Sequence, residues 1–477
     1  MYQKPATHKL AQPAVPTAAP GAARPAERAA ERSAESSVTL PISAVLLLAL
    51  AYANLWIMDR VPELDWFQRT LPRVLLLLLA IGYLAIIWIS GVAPSRAARM
   101  RAQRWRSVLA LALIAVNVLL PTAYFIANRL QTGVSAENVI DWPLQIEAGS
   151  RLLLEGRSPY GVDYSFSEMR AWSISANFPD NPAVRHAIHL PVNFILGVLS
   201  MSLWQGLTGW YDARLLLIAA YIVVLLVAPR LCSRWEEGHA LQIGLALNPL
   251  LVESFVLGLS DYLLLAWLVL AIALRQRGYV RVAAALLGVA IATRQFSWLL
   301  APVYLSAEWF SVMAEASGQS VSARLKLLIQ RLWPLPLVVA ITILPFFLSN
   351  PRGFYEDVIA FGSGGIADAY PIGGPNTYGL SAIVLAYGWA ADQHAQFPFS
   401  TLQLIATLPL IAYAAWSQRR RNTLRRMLLS YVLILAVFLF TGRFMHTNYV
   451  GFVFALLLLT CFADDTPLSA SAQPARS

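Results

Sequence analysis

The feature that most constrains this chain is a series of apolar blocks, each about as long as a bilayer is thick. A spanning helix needs about 20 mainly apolar residues. Blocks near that length fall at 39–57, 72–92, 107–127, 213–230, 240–257, 261–275, 282–297, 299–314, 332–349, 399–417, 427–441 and 445–463. Only 13% of the 477 residues are charged, against roughly 25% in soluble globular chains, too few to cover a long chain in water. The pattern predicts an all-α polytopic transmembrane helix bundle of about 12 spans, with 13 or 14 also open.

The basic residues orient these spans. A formal charge of +10 would suit a nucleic-acid partner, but the arginines sit in short runs between apolar blocks, as they do in cytoplasmic loops. Arg96–Arg106, Arg275–Arg281, Arg324–Arg331 and Arg419–Arg426 all fall inside if both termini are cytoplasmic and the chain crosses 12 times. Residues 1–37, rich in Ala, Pro, Glu and Arg, and 466–477 read as disordered tails around a membrane domain at 38–465. Two apolar segments, 188–204 and 378–391, do not fit this count and are expected to be re-entrant or interfacial. The orientation places the long loops 128–187 and 350–377 outside the cytoplasm. Loops of such length between tight spans are uncommon unless they work. Cys232 and Cys461 suggest neither a metal site nor a disulfide framework.

The first long loop opens with Asp141-Trp142-Pro143. Leu144, Ala148 and Leu152 then share one helix face, with Gln145, Glu147 and Arg151 among the residues between them. This predicts a short amphipathic helix on the membrane surface, ended by Gly156. Asp141 before a first turn containing Pro is a good N-cap. A carboxylate held rigidly at that point is also a candidate general base, and the two roles are compatible.

These residues carry a resemblance. Asp141, Trp142, Glu147, Ala148, Gly149, Leu152, Leu153, Gly156, Pro159 and Tyr160 resemble the first-loop signature of polytopic GT-C-fold glycosyltransferases, the closest group being family eighty-seven. Asn248-Pro249, Gly258, Arg277-Gly278, Gly288 and Arg294 follow the order of that family's later elements. The chain departs from it at Gln145-Ile146, where a tyrosine is usual, at Gly258-Leu259, where Gly-Gln is usual, and at Arg294, where a Lys is usual. The resemblance implies an α-mannosyltransferase-like enzyme that takes a hexose from a polyprenyl-phosphate donor and gives it to an envelope lipid or glycan acceptor. It needs no cofactor, since cationic side chains serve the phosphate, though a divalent metal is not thereby excluded.

Ionisable residues at the ends of spans complete the candidate site. Arg294 reads as either a snorkelling interfacial arginine or a clamp on a lipid phosphate. Asp261 is either a cap or a second carboxylate, and Glu253 is expected to pair with an arginine. Arg443, His446 and Asn448 share the turn between the last two spans, which resembles the family's late His-bearing element. Arg294, with Arg443 or His446, is expected to stabilise the donor phosphate, and Asn448 to line the substrate site. His186 and His189 are weaker candidates, and no histidine spacing suggests a metal. Trp142, Tyr160, Tyr164 and Trp172 are candidates for stacking on sugar rings, although aromatics also serve as interface anchors. A secondary transporter or an envelope lipid- or polymer-handling protein is the rival reading.

Overall fold

The computed structural model describes residues 41–54, 57, 66–91, 95–135, 137–172, 181–374 and 377–468. The expected N-terminal tail lies outside the described residues. Regular structure among the described residues is helical throughout, and the one β-bridge joins Thr423 to Pro467.

Among the described residues, four helices are long and apolar enough to cross a membrane: Arg69–Gly91, Arg96–Thr132, Arg214–Leu231 and Phe399–Arg420. Two bent pairs raise the number to six if each pair is one span. Their outward faces are apolar: Leu77, Trp88 and Leu348 are exposed by 61%, 69% and 69%. Apolar surface of that extent needs an apolar surrounding.

Proline explains both bends. It lacks an N–H and its ring crowds the preceding turn. It also disfavours helical backbone in the residue before it: Asn248 leaves that region (ψ 107°), while Trp333 stays helical (φ −53°, ψ −29°). The expected span 240–257 therefore splits into Trp235–Ala246 and Pro249–Leu257, which meet at 49°. Asn248 fills the joint: its Oδ1 accepts from the Leu250 N–H (3.2 Å) and its amide donates to the Gly451 carbonyl (2.8 Å). Trp333-Pro334 makes the second bend, of 50°, between Val321–Leu332 and Pro334–Ser349. The expected span 282–297 is shortened in another way. Helix Val280–Ile291 stops, Arg294 takes extended backbone (φ −155°, ψ 141°), and a 3-10 turn at Gln295–Leu299 leads into helix Leu300–Glu315. The two segments outside the span count contain the helices Pro191–Thr208 and Leu380–Ala386.

The first-loop helix forms at Asp141–Leu154 and Gly156 (φ 74°) turns the chain after it, but it is not a surface helix. Trp142 through Ser150 are all buried, because the polar side meets partners in protein. Arg129 donates to both Glu147 oxygens (2.9 and 2.8 Å), to Asp212 (2.9 Å) and to Glu168 (2.6 Å). Arg214 closes on Asp212 (2.8 Å) and on the Asn138 carbonyl (2.7 Å). On the other side the helix presses against Pro191–Thr208 at Gly149, where a Cβ would lie 2.4 Å from the Phe194 ring.

The C-terminal tail also differs from expectation. Its first residues, 466–468, are docked. The Leu468 carbonyl accepts from Arg275 (2.8 Å) and Ser311 (2.9 Å), its N–H donates to Asn422 (3.0 Å), and its side chain is buried. An isolated apolar residue in a polar stretch carries no periodicity, so this contact leaves no signal in the sequence.

Removing one partner of a buried ion pair leaves uncompensated charge and costs about 3–5 kcal/mol. Arg129→Ala should therefore lower the melting temperature in detergent sharply, whereas Arg170→Ala, at an exposed position, should leave it unchanged. Equal melting of the two variants would mean that the Arg129 cluster is dispensable.

Candidate active site

A cavity of about 640 Å³ opens among the helix ends, and its wall includes Asp141, Arg294, Arg443, His446 and Asn448. Residues from three distant stretches of sequence thus converge on one space.

Asp141 occupies the first helical position, and the residue ahead of it, Ile140, makes no side-chain cap. The carboxylate is therefore not the N-cap that the sequence allowed. It lies in the first turn, where free N–H groups favour negative charge, and it forms no ion pair within 4 Å among the described residues. Burial raises its pKa, while the backbone N–H groups of Trp142 and Asp141 and the nearby Arg294 pull it back, leaving it at about 6. That is a suitable value for a group that must accept a proton near neutrality.

Arg294 leaves the helix in extended form and turns its guanidinium onto Asp261 (Nη1 to Oδ1, 2.8 Å). Phe296 and Tyr449 lie within 4.5 and 5.5 Å of it, ring centroid to guanidinium carbon. The other Asp261 oxygen accepts from the Asn448 amide (2.9 Å). With both oxygens engaged and the residue 2% exposed, Asp261 is the counter-ion of Arg294 and not a second carboxylate facing the cavity.

Arg443 differs. It is buried, its Nε donates to the Tyr370 carbonyl, and its Nη1 has no hydrogen-bond partner among the described residues. No carboxylate lies within 4 Å of it among the described residues. Gly364, in left-handed backbone (φ 86°), is pressed onto this guanidinium, and a Cβ there would sit 2.5 Å from Nη1. His446 lies beside it in the wall, with Nε2 3.3 Å from the Tyr370 hydroxyl and its ring 5.5 Å from that of Tyr449.

Two expected substrate-lining aromatics are in the core. Trp142 is fully buried and donates its indole N–H to Asn193 (3.3 Å). Tyr160 donates to the His189 carbonyl (2.7 Å) and packs against Phe354. Tyr164 is buried too, donating to the Pro159 carbonyl (2.7 Å). Trp172 does reach the cavity wall, as do Tyr370, Phe444 and Tyr449, which the sequence did not single out. Those three lie in loops or at a helix start, where nothing in local spacing separates a wall aromatic from an interface anchor.

The histidines of the first loop have separate roles. His189 lines the cavity. His186 is held between two carboxylates of the second loop, Asp357 at Nδ1 (2.9 Å) and Asp368 at Nε2 (3.0 Å). Asp357 also accepts the Gly161 N–H (2.7 Å) and lines the cavity. Burial opposes protonation of His186, but the two carboxylates outweigh it and its pKa is raised. Among the described residues, no cluster of three or more His, Cys, Asp or Glu could hold a metal ion.

The wall thus combines an unpaired carboxylate, a neutralised arginine pair and a cation without a counter-ion, an arrangement suited to an anion and a hydroxyl together. No family model matches the chain, and no curated protein matches it.

Charged hydrogen bonds contribute about 1.5–3 kcal/mol, so Arg443→Gln should weaken binding of farnesyl phosphate roughly 10- to 100-fold by calorimetry in detergent. Binding of uncharged farnesol should not change. Undiminished binding of the phosphate would remove Arg443 from the anion site.

Proposed function

We propose that the chain is a polytopic glycosyltransferase of the GT-C type, resembling family eighty-seven. It moves a hexose, with mannose as the first candidate, from a polyprenyl phosphate to an envelope lipid or glycan acceptor. The observation that carries this reading is an unpaired Asp141 carboxylate sharing one cavity with the uncompensated Arg443.

In the proposed step, Asp141 takes the proton of an acceptor hydroxyl. The freed oxygen forms a bond to the anomeric carbon from the face opposite the phosphate. The bond from that carbon to the phosphate oxygen breaks, its electron pair stays on the polyprenyl phosphate, and the anomeric configuration inverts. Arg443 meets the charge that develops on the leaving phosphate, in a site where few waters compete. Arg294, paired with Asp261, whose other oxygen accepts from Asn448, puts a guanidinium near Asp141 without adding net charge. His446 and Asn448 flank the donor, and Tyr370 and Phe444 offer ring faces to the sugar.

On this reading the protein lies in the cell membrane with about 12 crossings, both termini in the cytoplasm and the cavity on the opposite side. A polyprenyl-phosphate donor fits that side, which nucleotide sugars do not reach. Against a secondary transporter stands the place of Asp141, Arg294 and Arg443, which lie in loops or at a helix start, whereas a transporter site sits at the midpoint of broken helices. Of the cavity's charged groups, Glu253 does lie inside one half of a bent pair, Pro249–Leu257.

Two tests follow. Asp141→Asn should reduce transfer about 10²–10⁴-fold, the contribution of a general base, while farnesyl phosphate still binds. Its melting temperature should hold or rise at pH 7. A carboxylate whose folded pKa is raised destabilises the fold above that value, and asparagine removes the charge. In the wild type, transfer should fall as pH drops through about 6. Transfer at the wild-type rate by the Asn variant would make Asp141 structural. For topology, an impermeant thiol reagent added outside should label a cysteine at exposed Ser165 and miss one at exposed Arg419. The reverse would place the cavity in the cytoplasm, within reach of nucleotide sugars.

A further inference from the structure

Asp141 and Arg294 come from distant parts of the chain, and a short stretch, residues 186–193, runs between them and is laced to both. On the Asp141 side, Gln145 donates to the carbonyls of Ala183 (3.0 Å) and His186 (2.8 Å) and accepts from the Ile188 N–H (3.2 Å). On the Arg294 side, the Val192 N–H donates to Ala292 (3.1 Å) and Gln295 donates to Ile188 (3.4 Å). Asn193 touches both sides at once. Its Oδ1 accepts from the Trp142 indole (3.3 Å), and its Nδ2 donates to the carbonyls of Thr293 (2.7 Å) and Leu190 (3.0 Å). Trp142 follows Asp141 and Thr293 precedes Arg294, and all three linking residues are buried.

We propose that Asn193 is a positioning residue whose single amide sets the separation between the Asp141 carboxylate and the Arg294 guanidinium. This role rests on the transferase reading. The chemistry of the link admits only an amide in one orientation. An indole N–H can only donate and a carbonyl can only accept, so the oxygen must face Trp142 and the nitrogen must face Thr293. Leucine fills the same space with neither bond, and aspartate would turn an oxygen onto two carbonyls. Displacement of a reacting group by about 1 Å is enough to cost roughly 10²-fold in rate, so one buried amide can govern turnover without touching substrate.

The test uses Asn193→Leu and Trp142→Phe, which cut the link from opposite ends, in the full-length protein in detergent. The donor is farnesyl phosphate mannose and the acceptor octyl α-mannoside. Each variant is expected to lower kcat about 10- to 100-fold, with KM for the donor within about twofold of wild type. The acid limb of the rate profile should also move to higher pH, because Asp141 loses part of the favourable field of Arg294. A loss of folded protein alone would lower the rate and leave that limb in place. The double variant should be no slower than the slower single variant, since one link is cut once. If Asn193→Leu does not fold, Trp142→Phe, which keeps the ring in the core, decides the matter. An unshifted limb with undiminished kcat, in a wild type that transfers hexose, overturns the positioning role alone. A wild type that transfers no hexose overturns the transferase reading and this role with it.

Discussion

A buried guanidinium must be matched by carboxylates, and at Arg129 that requirement organises the chain around the cavity. Arg129 sits at the end of a long apolar helix, Glu147 in the middle of the first-loop helix and Asp212 just ahead of another apolar helix. One cation therefore ties three elements that share no local sequence signal. Interaction between opposite charges is many times stronger in a low-dielectric interior than in water, and so is the penalty for leaving either alone. The Asp141–Leu154 helix has little freedom to lie elsewhere once Glu147 is held. Its first residue then projects into the space between the helix ends, which is how a structural ion cluster fixes the place of a candidate base.

Charge accounting in the cavity gives the two arginines unequal parts. Arg294 carries Asp261 with it, so the pair is nearly neutral at a distance and works through direction more than through net charge. Arg443 is held only by a carbonyl and hemmed in by Gly364, so its charge is unspent in the protein itself. Polar groups left unmatched in the interior are costly, and they persist where a ligand supplies the missing partner. On the proposed reading the phosphate sits at Arg443, and Arg294 shares the cavity with Asp141. There its field lowers the Asp141 pKa without bonding to that carboxylate. A direct Arg294–Asp141 salt bridge would have depressed the carboxylate too far for it to accept a proton near neutrality.

The all-helical character was legible in the sequence because membrane-length apolar blocks act locally. The expected span 240–257, however, ran through Pro249, and its bend was not foreseen. Among the described residues four helices, or six with bent pairs, are long and apolar enough to cross, against about 12 expected. Asp141, Arg294, Arg443, His446 and Asn448 were legible as well, since ionisable or polar residues beside apolar blocks stand out against a background of Leu and Val. What was hidden depended on partners distant in the chain. Glu147 and Gln145 gave the first-loop helix a polar face that reads as solvent-exposed, yet Arg129 and the 183–188 backbone absorb that polarity inside the protein. Gln145 makes three hydrogen bonds to the 183–188 backbone, none of which its place in the sequence announces. Trp142 and Tyr160 were mistaken for wall residues because burial and stacking draw on the same aromatic types. Asp261 looked like a second acid because nothing in its neighbourhood announces Arg294 as its partner.

The two long loops make opposite demands on pH. His186 joins them through Asp357 and Asp368, and this latch is strongest when the imidazole is protonated and both carboxylates are ionised. Because the His186 pKa is raised on folding, its contribution is complete below the unfolded value of about 6.5 and fades as pH rises through the folded value. Asp368 behaves the other way. Burial works against ionisation, but the His186 contact and its charge lower the pKa, so its contribution is complete above about 3.9 and lost only at lower pH. The His186–Asp368 contact therefore holds fully from about pH 4 to about 6.5 and is lost as pH rises through the folded His186 value. Asp141, raised to about 6, is a base only above that value. On the proposed reading, the latch is still closed as Asp141 loses its proton near 6, because the folded His186 pKa lies above 6.5, and it loosens only at higher pH. The pairing with two carboxylates, rather than one, extends the range over which it holds.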